Sequence, residues 1–280
     1  MDKRMNIIMK NAKKGDTKAM IILAEAFVEG YSVKQNNKKG FKLYKKAYAN
    51  GDKEAISRLA NCYELGIGVK QDYAKAYSLY EEGISFNDEI SYLGLANMYY
   101  KGNYVNQDYN KCIDYWIKAS ELGNAKAMNC LGVCYDEGIG VNINKEKAFD
   151  YYREAASRDD LDAQYNIGIC YQDGNGVEQD YSKAAYYLDL AAEKGHPDAS
   201  YNLAIYYMNG MGVTKDSSKA VEYYKMSASA GNVNAQYYLG ACYYNGEGIE
   251  RDVIKAKYMF ALAASRGHKK AIEALKQINE

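Results

Sequence analysis

The chain carries no net charge: 36 Lys and Arg stand against 36 Asp and Glu in 280 residues. That balance supplies no electrostatic footprint for nucleic acid or for an anionic membrane surface. The one local basic run, Lys10, Lys13, Lys14 and Lys18, reads as a solvated helix end. No apolar run approaches the roughly 20 residues that span a bilayer, and the apolar stretch ahead of Lys10 is too short for a signal-peptide core. A cytoplasmic protein without membrane insertion is therefore expected, with signal-independent export left open. Histidine is confined to His196 and His268. Cys130 and Cys134, four apart, thus have no histidine beside them to complete a zinc set, and no metal or cofactor is expected. Four of the six cysteines, Cys62, Cys134, Cys170 and Cys242, stand at one recurring position. A whole repeat separates them, so they read as small buried hydrophobes in a reducing compartment rather than as disulfide partners.

What the chain does have is a 36-residue period. The block opens at Gly15, Gly51, Asn87, Gly123, Asp159, Gly195 and Gly231, and an eighth start at Gly267 is cut short. A fixed period of this size means stacked supersecondary units. The expected organisation is a single array over residues 1–280, with a cap helix at 1–14, seven repeats, and a C-terminal cap at 267–280.

Within the block Gly123 to Arg158, Ala127, Leu131 and Tyr135 fall at helical spacing. Ala148, Tyr151, Tyr152 and Ala155 do so again after the glycine turn Gly138–Val141. Each unit is thus a helix–turn–helix. Alanine recurs four residues after the start (Ala55, Ala127, Ala163, Ala199, Ala235) and twenty-five after it (Ala76, Ala148, Ala184, Ala220, Ala256). Short side chains there let helix axes close to about 8 Å. An aromatic stands twelve after every start, from Phe27 to Tyr243, and reads as core filling with a hydroxyl at the wet edge. The paired glycines, such as Gly174 and Gly176, follow a helix rather than a strand and lack the Lys-Ser/Thr of a P-loop. They read as a structural turn and not as a phosphate cradle.

Together these residues resemble the Sel-1-like repeat, a relative of the tetratricopeptide repeat. The pattern reads here as Gly195, Ala199, Leu203-Ala204, Tyr207, Gly210-Met211-Gly212-Val213, Asp216, Lys219-Ala220, Tyr223-Tyr224 and Ser227-Ala228. The resemblance covers roughly residues 15 to 275. It implies an all-α, right-handed α/α superhelical solenoid whose members act as adaptors and bring no catalytic residues. Two units depart from it: Gly30-Tyr31-Ser32 and Gly102-Asn103-Tyr104 lose the second glycine, so those turns are expected to bend differently. Some exported relatives staple each unit with a disulfide, and this chain lacks that paired spacing.

By the same resemblance, the first helix of each unit lines a concave groove for a protein or peptide partner. The candidate residues are Arg58, Asn61, Asn97, Tyr100 and Lys101 in the N-terminal half, and Tyr165, Tyr201, Tyr237 and Tyr244 in the C-terminal half. Stacked tyrosine gives rigid contact area at low entropy cost, and asparagine can bond an extended peptide. The tyrosine column reads equally as packing between adjacent first helices. Two other functions stay open: a hydrolase or β-lactam-binding protein, for which no Ser-x-x-Lys with its companion motifs exists, and a self-assembling structural element. A homodimer contact through Met1, Met5, Ile7, Ile8 and Met9 is a further alternative to their packing on the first repeat.

Overall fold

The computed structural model describes the backbone of residues 3–279 and the side chains of residues 3–278; Met1, named above as a candidate dimer contact, lies outside them. Sixteen α-helices and no strand occur among the described residues. In chain order they are α1 (Lys3–Lys13), α2 (Thr17–Glu29), α3 (Asn37–Ala49), α4 (Glu54–Leu65), α5 (Tyr73–Ile84), α6 (Glu89–Lys101), α7 (Tyr109–Glu121) and α8 (Ala125–Glu137). They continue with α9 (Lys145–Ser157), α10 (Leu161–Asp173), α11 (Tyr181–Glu193), α12 (Pro197–Asn209), α13 (Ser217–Ser229), α14 (Val233–Asn245), α15 (Val253–Ser265) and α16 (Lys269–Asn279). The fold is an all-α repeat solenoid. The chain divides into two compact units, one ending at Leu131 and the other beginning at Gly132.

Local chemistry sets each helix. Before the second helix of every repeat stands Asn36, Asp72, Asp108, Asn144, Asp180, Asp216 or Asp252. Each accepts a hydrogen bond from a backbone N–H of the first turn, satisfying a donor the helix itself leaves open. The first helices α2, α6, α10 and α14 start on Asp16, Asp88, Asp160 and Asn232 in the same way; α4 follows Lys53 with no side-chain cap, and α12 starts on His196, whose Nδ1 accepts from Ala199 N at 3.2 Å. Termination is uniform: Gly30, Gly66, Gly102, Gly174, Gly210 and Gly246 close first helices in the left-handed region.

Packing follows the alanine columns. In the N-terminal unit α2 pairs with α3, α4 with α5 and α6 with α7; α1 meets α2, α3 meets α4 and α5 meets α6. In the C-terminal unit the hairpins α10–α11, α12–α13 and α14–α15 alternate with the junctions α9–α10, α11–α12, α13–α14 and α15–α16. Ala55, Ala76, Ala163, Ala184, Ala235 and Ala256 are fully buried. In the first repeat Gly40 takes the place of the second-helix alanine, and a Cβ there would lie 2.6 Å from Val28 Cγ2.

Ser32 and Tyr104 overturn one expectation. They hold φ of 59° and 69°, while their glycine counterparts Gly68, Gly176, Gly212 and Gly248 hold 63–71°. The two turns keep the common conformation and carry a side chain in it. At the ends, Met5 is buried and Ile8 and Met9 pack on the first core, while Ile7 stays exposed. In α16, Lys269, Lys270, Glu273, Lys276 and Gln277 face solvent and Ala271 is buried.

Candidate functional site

The site follows from which aromatic rings the packing consumes and which it leaves open. In all seven repeats the lysine three residues into the second helix sits over the ring twelve after the repeat start. The pairs are Lys39 on Phe27, Lys75 on Tyr63, Lys111 on Tyr99, Lys147 on Tyr135, Lys183 on Tyr171, Lys219 on Tyr207 and Lys255 on Tyr243, at 4.0–5.5 Å from the ring centre. In four repeats that ring also stacks on a second-helix tyrosine: Tyr99 on Tyr115, Tyr135 on Tyr151, Tyr171 on Tyr187 and Tyr207 on Tyr223. These rings carry cation–π and stacking interactions between helices and are committed to structure. The Lys-Ala dipeptide of the repeat pattern was the sequence signal for the lysine, but its ring partner lies twelve residues earlier and is not visible without the hairpin.

Of the tyrosines singled out from sequence, Tyr100, Tyr165, Tyr201 and Tyr237 are half-buried. Tyr165 stacks on the capping ring of His196 at 4.5 Å, and Tyr237 stacks likewise on His268 at 4.6 Å. Tyr201 joins Tyr224 and Tyr238 in a three-ring cluster, with Tyr224 and Tyr238 nearly coplanar at 5.7 Å. Tyr237 also touches Tyr238 and Phe260. Burial, with the neighbouring Tyr238 hydroxyl, pushes the Tyr201 hydroxyl up to about 12, and burial raises Tyr165 as well. Tyr244 is exposed, with the Arg251 guanidinium 5.7 Å from its ring. In the N-terminal unit Arg58 pairs with Glu25 at 3.2 Å, Tyr100 packs on Tyr109 and Trp116, Asn61 and Lys101 are exposed, and Asn97 is half-buried.

Two adjoining clefts in the C-terminal unit share Ile205. One, of about 400 Å³, lies among Gln172, Asp173, Asn202, Tyr206 and Met211. The other, of about 430 Å³, lies among Met208, Asn209, Tyr224, Tyr238 and Glu247. Both open along the first helices α10, α12 and α14. Their lining comes chiefly from the seventh, tenth, thirteenth and fourteenth residues after the repeat start. Tyr201 and Tyr237, at the sixth, stand behind Tyr238 rather than in the lining. Tyr206 is buried, and its hydroxyl donates to Gln172 Oε1 at 3.1 Å, fixing one wall.

Burial pushes the thiols of Cys62, Cys134 and Cys242 up to about 11 and that of Cys170 to about 12, so they are held as thiols at neutral pH. No disulfide joins the cysteines among the described residues. Among the described residues no three His, Cys, Asp or Glu side chains gather to hold a metal, and no helix is long and apolar enough to cross a membrane.

A family model described as Sel1 repeat matches residues 17–52, 53–85, 90–124, 125–160, 161–196, 197–232 and 233–268. A Sel1 repeat protein from Oxalobacter formigenes is similar in structure, with 28% identity and a TM-score of 0.74 over 98% of this chain and 79% of its own. The uropathogenic Escherichia coli protective antigen c5321, described as displaying an SLR fold, shows 29% identity and a TM-score of 0.73 over 98% of this chain. This chain spans 59% of the length of that antigen. The immunity protein PA5088 from Pseudomonas aeruginosa shows 25% identity and a TM-score of 0.59 over 77% of this chain and 82% of its own. Comparison with curated proteins gives no match.

Proposed function

The chain belongs to the Sel1 repeat family, whose members are typically protein-interaction scaffolds, and from that premise we propose that it is a non-catalytic adaptor. Its partner, a peptide or a protein segment, lies along the first helices of the C-terminal repeats. The observation that carries this reading is the pair of adjoining clefts meeting at Ile205. They combine a rigid ring wall (Tyr206, Tyr224, Tyr238) with amide groups from Asn202, Asn209 and Gln172. That mixture suits an extended chain: rings supply apolar area without freezing many rotamers, and amides match backbone donors and acceptors. Tyr165, Tyr201 and Tyr237 then act as the backing that holds the lining helices. Arg58, Asn61, Asn97, Tyr100 and Lys101 are the candidate contact residues of the N-terminal unit. The thiols buried at Cys62, Cys134, Cys170 and Cys242 support a cytoplasmic setting.

The test is capture of partners from native lysate with the wild type and with Met208→Glu/Asn209→Arg. Both positions border the second cleft, and Asn209 is exposed. A partner recovered by the wild type and lost by the variant, with circular dichroism unchanged, is the expected outcome. Recovery of the same proteins by both sinks the cleft as the binding surface. Tyr201→Ala/Tyr237→Ala is expected instead to lower the melting temperature, because each aromatic pair is worth about 0.5–1.5 kcal/mol beyond burial.

A further inference from the structure

The balanced charge of the whole chain conceals a polar distribution. Residues 1–50 hold 12 Lys and Arg against 4 Asp and Glu, whereas residues 51–230 hold 17 against 27. Within the basic segment, α1, α2 and α3 enclose a cleft of about 330 Å³. Met9, Leu23, Phe27 and Leu43 form its floor and walls. Lys13 stands on the α1 rim and Lys39, Lys42 and Lys46 on the α3 rim. All four lysines are exposed, and none has an ion-pair partner among the described residues. Lys39 lies over the Phe27 ring.

One residue of the lining, Leu43, differs from its counterparts in the central repeats. In the central repeats the position of Leu43 is Tyr115, Tyr151, Tyr187 or Tyr223, and each of these rings stacks on the first-helix ring and fills the space. Leu43 presents no ring to Phe27, and the space beside it is part of the cleft. We propose that this lysine-rimmed cleft is a second docking site, independent of the C-terminal clefts, for an acidic amphipathic helix of a partner protein. The volume accepts about two large apolar side chains. The α3 lysines are spaced by three and four residues, a row about 10 Å long at 1.5 Å per residue. That spacing matches carboxylates on one face of a facing helix, which recur every three or four residues. A fatty acid offers one carboxylate to four cations and leaves most of the rim unanswered.

The probe is a synthetic 16-residue amphipathic peptide with leucines on one face and glutamates flanking it, measured by fluorescence anisotropy against the full chain. Binding that weakens with added salt is expected, because the rim is exposed. Lys42→Glu/Lys46→Glu should weaken it at least tenfold. Lys34→Glu/Lys45→Glu makes the same charge change in the same segment away from the cleft and should alter it less than threefold. Leu43→Tyr rebuilds the ring pair of the central repeats and should abolish binding while the melting temperature holds or rises. The proposal is overturned by equal binding of a scrambled peptide of the same composition, by equal loss with both lysine pairs, or by full competition by decanoate at equimolar peptide. A dimer seen by sedimentation at the same concentrations and abolished by Lys42→Glu/Lys46→Glu would overturn it in favour of a second copy of this chain.

Discussion

Where it is present, the second glycine of the turn illustrates how one atom decides a residue. At Gly176 φ is 70°, and an added Cβ would lie 2.1 Å from the Lys145 carbonyl oxygen, at the start of the previous repeat's second helix. Gly68 and Gly248 meet Asn37 and Ser217 in the same way. The glycine therefore serves both the turn and the close approach of neighbouring backbones. Gly195 in the same unit has φ of 91° with nothing within 4 Å of a Cβ. Gly195→Ala should carry only conformational strain, about 1 kcal/mol. Gly176→Ala adds a backbone collision and should cost at least about 2 kcal/mol more, as overpacking does. Thermal melts of the two variants separate the contributions; equal shifts would show that the approach at Gly176 is slack. From sequence the paired glycines read only as a turn, since the backbone that the second one faces belongs to another repeat. For the same reason Ser32 and Tyr104 looked like altered turns, although the conformation is retained.

At the scale of the helix, the caps govern pH response. The Asp180 and Asp252 carboxylates are held below the usual carboxylate range, first by the backbone N–H groups they cap and then by the Lys183 and Lys255 ammonium groups. Asp72 is lowered first by Lys75 itself, with its backbone bonds adding to this. Protons thus bind the unfolded chain more readily than the folded one between the two carboxyl values. Stability from these groups is present above the ordinary aspartate range near 3.9 and is lost as pH falls through the depressed folded values. Lys75 and Lys255 are raised by the same pairs, so their share is lost only as pH rises through the folded lysine values. Melting temperature should be level from about pH 5 to 9 and drop below about pH 4. Asp180→Asn should keep the cap yet make the acid limb shallower; an unchanged acid limb would place the loss in other carboxylates. Helices and their pairing were legible in the sequence because alanine spacing, capping residues and glycine stops all repeat in register. The lining of the candidate clefts was only partly legible. One residue along a first helix turns a side chain by about 100°, enough to set Tyr238 in the lining and Tyr237 against the next cap.

For the whole chain, bulk composition was the least informative guide. Zero net charge hid a basic N-terminal segment, and Lys13, from the run of Lys10 to Lys18, stands on one rim of a cleft whose other rim lies on α3. Each compact unit holds its own cores: Leu59, Tyr80 and Leu95 belong to cores of the first, Leu188, Leu203 and Leu239 to those of the second. Repeat arrays are stabilised by nearest-neighbour interfaces and lose all-or-none behaviour as they lengthen. The single tryptophan makes this measurable. Trp116 is buried in α7, in the unit ending at Leu131, so its fluorescence reports on that unit, while circular dichroism at 222 nm averages over sixteen helices. Gly176→Ala weakens the unit beginning at Gly132 and should lower the dichroism midpoint in urea while moving the fluorescence midpoint less. Leu95→Ala, in the core next to Trp116's helix, should do the reverse, with a cost of about 2–5 kcal/mol. If both probes shift together in both variants, the array unfolds as one cooperative body and its interfaces dominate the energetics of its individual repeats.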